Sequence, residues 1–201
     1  MRILLIILII SFFSSCKTNK QSFTGSIKFS TQFLPPKKPS KDLTILREMY
    51  GDSLLMVYQK NGDYIRKYLN NIDPNIYLQS FDAAIGKVYY KNKKLEVTDS
   101  VDVTVNGVEL ISVKKIDNEL IMGYDCDCYE YIAFFSMINQ DIILNFCYSS
   151  ETPYLNPKLY KKHVDFFISD FFEKSNRPYL KFSTETEEFK AIYTATSINT
   201  N

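Results

Sequence analysis

The feature that most restricts the fold of this chain is an alternation of apolar and polar side chains that returns along most of its length. Within residues 23–33, the side chains on one face are Phe23, Gly25, Ile27, Phe29, Thr31 and Phe33. A period of two residues is that of a half-buried β-strand. The fifteen Tyr and fifteen Phe residues favour strands too, because aromatic side chains pack well on a pleated surface. The sequence therefore predicts a β-rich domain.

Turn signals divide this pattern into hairpins. Asn61-Gly62 separates the runs 53–59 and 64–69, and Asn106-Gly107 separates 101–105 from 108–116. Asn-Gly is a strong hairpin signal because both residues tolerate positive φ. Further strands are expected at 87–90, 95–98, 119–135, 141–148, 179–184 and 189–196. The pattern predicts an antiparallel meander.

One segment has a helical pattern instead. Asn156 is a good N-cap, and Pro157 suits the first helical turn, where its missing N–H is no loss. The apolar side chains that then recur at helical spacing are Tyr160, Val164, Phe167, Ile168 and Phe171. We expect one amphipathic helix from Pro157 to Lys174, and a second short helix within residues 34–52.

The N-terminus predicts export. Arg2 precedes the apolar run 3–10, which is typical of a secretory signal and too short for a transmembrane helix of about 20 residues. The following Ser14-Ser15-Cys16 resembles the bacterial lipobox, which implies cleavage before Cys16 and acylation of that residue. An ordinary signal peptide with an incidental cysteine is the alternative reading.

The predicted organisation is a signal peptide at 1–15, a lipidated cysteine and tether at 16–22, and a single β-rich domain at 23–198. No Asp follows Cys16, and in diderm bacteria an Asp there resembles a signal for retention in the inner membrane. A surface-export signal of lipoproteins resembles a lysine followed by acidic residues, and the tether has no acidic residue. We therefore expect a lipid-anchored protein on the periplasmic face of the outer membrane, and thus a membrane partner through the lipid.

Charge and motifs exclude several functions. Removal of residues 1–15 takes away one of 24 basic residues and none of 23 acidic ones, so the mature chain is formally neutral and nucleic acid is not an expected partner. His163 is the single histidine, and the chain has no Gly-x-Ser-x-Gly, Walker or Rossmann motif. We predict no catalytic residues, no cofactor and no enzyme activity.

The run Cys126-Asp127-Cys128 raises the question of a metal or redox site. On a strand these two cysteines share a face, with Cα atoms about 6.6 Å apart. Together with Cys147 and His163 they are numerous enough for zinc, but structural zinc sites usually space cysteines as C-x2-C or wider. A redox C-x-x-C motif is absent as well. No metal is predicted.

A disulfide and free thiols both remain possible. If residues 136–139 form a turn, Phe135 pairs with Gln140, and Cys128 then lies opposite Cys147. An exported protein meets oxidising conditions, which makes this pair a disulfide candidate. The alternative is a set of buried thiols that pack as small hydrophobic side chains.

Two further stretches resemble a known family. The run Ile121-Met122-Gly123-Tyr124-Asp125-Cys126, followed by 146–153, resembles GLPGLI-type lipoproteins and related LolA-like envelope proteins of Bacteroidetes, and residues 25–29 are similar to that family's first strand. The chain departs from the family's Gly-Leu-Pro-Gly-Leu-Ile segment at 176–180, so the wider LolA-like class is the expectation. The resemblance implies an α+β fold, in which a curved antiparallel sheet forms a half-open barrel closed by helices.

The resemblance also implies an apolar cavity that holds acyl chains. With the single helix packed on the concave face of the sheet, the expected lining residues are Phe167, Ile168, Phe171, Ile27 and Phe29. The first functional hypothesis is therefore an outer-membrane lipoprotein that binds a lipid or other apolar ligand. An interaction or scaffold lipoprotein with a filled core, whose protein partner the sequence does not reveal, is the second.

Overall fold

The computed structural model describes residues 20–35, 43–72, 77–92 and 98–201. Its strands are β1 (Gly25–Leu34), β2 (Ser53–Tyr58), β3 (Tyr64–Leu69), β4 (Leu78–Asp82), β5 (Lys87–Lys91), β6 (Thr98–Asp102), β7 (Glu109–Ile121), β8 (Tyr124–Phe135), β9 (Gln140–Tyr148), β10 (Lys181–Glu185) and β11 (Lys190–Thr200). The α-helices are α1 (Leu43–Tyr50) and α2 (Ile168–Ser175), and short 3-10 helices cover Pro157–Tyr160 and Asp165–Phe167. All these elements lie between Gly25 and Thr200, so a chain that begins at Lys17 carries every one of them.

The strands form one antiparallel sheet in the order β6-β5-β4-β3-β2-β1-β11-β10-β9-β8-β7. The first strand therefore lies in the middle, paired with the last. On one side of this pair lie β2, β3, β4, β5 and β6 in that order. On the other side lie β10, β9, β8 and β7. Helices are few, as the sequence predicts.

The chain connection between the edge strands shows that the sheet is strongly curved. β6 and β7 lie at opposite edges, and residues 103–108 join them directly. Ten strand spacings in a flat sheet would separate the edges by about 48 Å. A connection of this length reaches at most about 25 Å. The edges must therefore curve towards each other, and because they do not pair, the sheet is open.

The prediction of a hairpin at Asn106-Gly107 was wrong. β6 and β7 do not pair, and the turn instead binds the segment that precedes α2. The Oδ1 atom of Asn106 accepts a hydrogen bond from the Phe166 N–H, and the Gly107 N–H donates to Oδ1 of Asp165 at 2.9 Å. The Asn-Gly signal correctly marked a turn, but a local signal does not determine which strands the turn joins.

The predicted single helix from Pro157 to Lys174 was also wrong in extent. Asn156 caps the 3-10 helix Pro157–Tyr160, and the chain then changes direction before α2 begins at Ile168. Phe166 and Phe167 have φ of 50° and 60°, in the left-handed region. The N–H groups of Val164 and Asp165 both donate to the carbonyl of Val103, so they do not continue a helical ladder. Contacts with the edge connection thus interrupt the helix.

The rest of the strand prediction needs two changes. The expected strand 119–135 is the end of β7 and the whole of β8, joined by a turn at Met122-Gly123 in which both residues have positive φ. β4 was not predicted, and most of the expected strand 95–98 lies outside the described residues. The register at the next turn is as predicted, with Phe135 opposite Gln140.

One face of the sheet carries the core and is called the inner face here. It is defined by Ile27 and Phe29 of β1, both completely buried. The same face carries Met56 of β2, opposite Ile27, and Phe146 of β9, whose neighbour Phe182 contacts Phe29. α2 contacts this face on β8 and β9: Phe171 stacks on Phe146, with ring centroids 4.9 Å apart. In the part of the chain that the structure describes, no helix has the length and hydrophobicity that crossing a membrane requires.

Candidate ligand cavity

A cavity of about 330 Å³ lies on the inner face, between the two halves of the curved sheet. It is bounded by β3, β4 and β5 on one side, by β9, β10 and β11 on the other, and by the segment that leads into α2. Its aromatic lining consists of Phe33, Tyr50, Tyr64, Tyr68, Tyr90, Phe146, Phe166, Phe182, Phe189 and Tyr193. A concave site of this size, mostly apolar with a few polar groups, is typical of ligand-binding pockets.

Arg66 brings a positive charge into this aromatic surrounding. The alternation of β3 places Tyr64, Arg66 and Tyr68 on the inner face, where Arg66 lies between Met56 of β2 and Gln79 of β4. Its Nη2 donates to the Tyr179 hydroxyl at 2.8 Å. The guanidinium also lies 5.4 Å from the ring centroid of Tyr64 and 5.5 Å from that of Phe182, which is the range of cation–π contact.

Arg66 was not among the predicted site residues. The alternation of side chains along the strand Tyr64–Leu69 would have identified it. Arg66 points to the same side of the strand as Tyr64 and Tyr68. Arginine on an aromatic inward face is unusual because charged side chains are rarely buried without a partner. The same counting places Lys67 on the opposite face, where it is exposed.

His163 lies at the edge of the cavity and is neutral. Its Nε2 is 2.6 Å from the Tyr64 hydroxyl, and its ring stacks against Tyr64 and contacts Phe81. Burial lowers the pKa of His163 to about 3, and the charge of Arg66 adds to the effect. A neutral imidazole of such low basicity is a poor general base, so its contacts indicate a packing and hydrogen-bonding role.

The cavity differs in position from the predicted one. Of the five predicted lining residues, Ile168 lines it. Phe167 stacks on Tyr131 instead, and Phe171 packs completely buried against Phe146. Ile27 and Phe29 are completely buried in the middle of the sheet. These four residues therefore do not line this cavity and are buried in the core instead.

The three described cysteines lie beside one another on β8 and β9. Cys128 and Cys147 are directly opposite and form a disulfide, with Cα atoms 4.1 Å apart. Cys126 is a buried free thiol, and burial raises its pKa to about 11. The Glu119 carboxylate approaches both bonded sulfurs but pairs with Lys181. Because two of the sulfurs are bonded to each other, they are not thiolate ligands for the zinc set considered above.

The predicted signal peptide and Cys16 lie outside the described residues. Of the tether, the structure describes residues 20–22. Ser22 already contacts the domain, because its hydroxyl accepts a hydrogen bond from the Asn156 N–H at 3.0 Å. The next residue, Phe23, donates its N–H to the carbonyl of Tyr154. Ser22, a residue of the predicted tether, is thus in contact with the domain.

Comparison with known proteins finds resemblances only to solved structures. No protein-family profile and no curated protein matches the chain. The lipoprotein LppX of Mycobacterium tuberculosis aligns with a TM-score of 0.40 and 10% identity, over 88% of this chain and 87% of that chain. A domain from Vibrio parahaemolyticus described as an outer membrane lipoprotein-sorting protein aligns with a TM-score of 0.35 and 8% identity, over 88% and 86%. A likeness at this level identifies neither the family nor the ligand of this chain.

Proposed function

We propose that the protein is a non-enzymatic outer-membrane lipoprotein that binds a lipid or other apolar ligand in the cavity between the two halves of its sheet. The observation that supports this function most is the cavity itself, with its aromatic lining and its volume of about 330 Å³. Filling it with one further large apolar side chain would stabilise the domain by about 1.5–3 kcal/mol. A chain that leaves such a space open beside a tightly packed core forgoes that stabilisation, as a binding site requires.

The binding test uses the chain from Lys17 onwards, which carries all the described elements. After removal of bound lipid, titration with a fluorescent long-chain fatty acid is expected to give saturable binding. Ala191→Leu places a larger side chain in the cavity, because Ala191 lines it and is 4% exposed. We expect this variant to bind at least about tenfold more weakly, a loss of about 1.4 kcal/mol.

The matched control is Thr194→Leu on the same strand. Thr194 does not line the cavity and lies opposite Ser30 on the other face of β11, so the added side chain leaves the cavity volume unchanged. Its affinity is expected to equal that of the unchanged chain. Absence of saturable binding by the unchanged chain, or equal affinities of Ala191→Leu and Thr194→Leu, would contradict the proposed function.

Anchoring is tested separately at Cys16. Cys16→Ala removes the proposed acylation site, so the protein is expected to leave the membrane fraction and to lose labelling by a radioactive or alkyne fatty acid. Density-gradient separation of inner and outer membranes, with protease added to intact cells, tests the proposed periplasmic face. A Cys16→Ala protein that fractionates and labels like the unchanged chain would show that the anchor lies elsewhere.

A second candidate is supported by the edge strand β7. Almost all of its residues are exposed, and they include the apolar side chains of Ile111, Val113 and Leu120. An exposed strand edge can pair with a strand of another protein, and exposed apolar side chains favour such association. If no apolar ligand binds, docking to an envelope complex through β7 becomes the better proposal. Val113→Lys is then expected to abolish capture of that complex from solubilised envelopes.

A further inference from the structure

The guanidinium of Arg66 lacks a counterion within the described residues. Its one hydrogen bond there goes to a neutral hydroxyl, that of Tyr179, and its Nε is buried without a partner. No carboxylate of the described chain forms an ion pair with it. Arginine remains charged in proteins, and Arg66 is half-buried with its Nε fully enclosed. A charge partly removed from water without an opposite charge nearby is costly.

Asp165 is the one acidic residue that lines the cavity in the described chain, and it does not compensate Arg66. Its Oδ1 accepts the Gly107 N–H, which holds the carboxyl against the connection between the edge strands. Burial raises the pKa of Asp165, and no ion pair among the described residues joins Asp165 to Arg66. Asp165 is therefore not the counterion of the Arg66 guanidinium.

Neutral groups hold the Arg66 side chain in place. The faces of Tyr64 and Phe182 lie next to the guanidinium, and the Tyr179 hydroxyl fixes Nη2 while it also contacts the sulfur of Met56. Aromatic faces attract a cation but accept hydrogen bonds only weakly. The cation is thus positioned at the cavity wall, where its Nε has no acceptor and the Tyr179 hydroxyl is its one hydrogen-bond acceptor among the described residues.

We propose that Arg66 is the anion-binding subsite of this cavity, and that the ligand is a single-chain amphiphile that ends in a carboxylate. This proposal rests on the proposed function, since it assigns the chemistry of the same site. One guanidinium matches the single charge of a carboxylate, whereas a phosphate monoester carries about −1.5 to −2. The volume of about 330 Å³ lies at the lower end of ligand pockets, which favours one chain over two.

The test compares ligands that differ only in the end group: palmitate, hexadecanol and hexadecyl phosphate, with acetate as an anion without a chain. The unchanged protein from Lys17 onwards is expected to bind palmitate at least about tenfold more tightly than hexadecanol. Hexadecyl phosphate should bind more weakly than palmitate, and acetate should not compete. In Arg66→Met, the preference for the acid over the alcohol is expected to disappear.

Each other outcome has a definite meaning. Equal binding of palmitate and hexadecanol by the unchanged chain overturns the role of Arg66 but leaves the cavity as an apolar site. A preference for the acid that persists in Arg66→Met also overturns that role, and tighter binding of the phosphate overturns the carboxylate assignment. Binding of none of the three long-chain ligands overturns the proposed function, and this proposal with it.

A second measurement keeps the test valid if Arg66→Met does not fold. Palmitate labelled with ¹³C at its carboxyl reports the protonation of the bound ligand in the unchanged protein. Contact with a guanidinium is expected to lower the pKa of the bound carboxyl below that of a fatty acid in an apolar site, so the signal should remain that of the ionised form on acidification. A raised carboxyl pKa in the bound state would contradict the subsite.

Discussion

Two neighbouring aromatic groups beside the inner face are built from the same residue types and differ in how completely they are buried. The rings of Phe171 and Phe172 of α2 and of their neighbours Tyr160 and Tyr179 are completely buried, with ring centroids 4.7–6.1 Å apart in successive contacts. Beside them, the rings of Tyr50, Tyr90 and Phe189 are only partly buried and line the cavity. We call the first group the covered cluster and the second the cavity wall. The presence of aromatic side chains therefore does not determine whether a region is tightly packed or open. The difference here is that α2 packs within one group and leaves the other open to the cavity.

The largest difference is expected in stability. Phe171→Ala removes a completely buried ring from the covered cluster and should lower the free energy of unfolding by about 3–5 kcal/mol. Phe189→Ala removes a partly buried ring from the cavity wall and should cost about 1 kcal/mol or less. Urea unfolding of both variants measures the difference. Equal losses would show that the two regions are packed alike.

Replacing each of the two alanines of β11 by leucine tests the same contrast, because the larger side chain adds volume at each position. Ala191 and Ala195 share the inner face and are both 4% exposed, but only Ala191 lines the cavity. Ala195 lies opposite Phe29 in the packed centre, so Ala195→Leu is expected to cost about 1–3 kcal/mol through overpacking. Ala191→Leu is expected to cost no stability and to raise the free energy of unfolding where its side chain fills the open space of the cavity. A loss of stability in Ala191→Leu would mean that the cavity cannot accept a side chain.

A smaller effect is expected from acid at His163, which lies where the two regions meet. Its pKa is about 3 in the folded protein and 6.5 ordinarily, so the unfolded chain binds a proton more readily as the pH falls. This contribution to stability is complete above pH 7 and is lost progressively below 6.5, by about 1 kcal/mol between pH 7 and 5.5. His163→Gln lacks the titrating group and should flatten that part of the profile. Parallel profiles for the two proteins would show that His163 is accessible to protons when folded.

Local patterns in the sequence were enough for much of the fold. The alternation of Phe23 to Phe33 identified β1 and its inner face, and the turn at 136–139 gave the register that brings Cys128 opposite Cys147. These features depend on neighbours within a hairpin or a strand. The side-chain period and the turn residues are therefore sufficient to predict them.

The features that the sequence did not predict depend on distant contacts. The connection 103–108 crosses between the sheet edges because Val103 and Asn106 bind the segment before α2. That same contact breaks the predicted helix at Phe166, and the break determines which aromatic residues are covered. The helical spacing of residues 157–174 therefore led to a predicted cavity beside Phe171. In the structure the cavity is lined by Arg66.

The most direct test of the cavity is to find where a bound chain lies. A fatty acid with a diazirine near its methyl end can be bound to the protein from Lys17 onwards, irradiated, and located by peptide mass spectrometry. Labelling is expected in peptides that carry the cavity wall, such as those with Tyr90 or Phe189, and should be suppressed by excess palmitate and by Ala191→Leu. Label on the exposed β7 strand or on the covered cluster around Phe172, with none on the cavity wall, would contradict a ligand site between the two halves of the sheet.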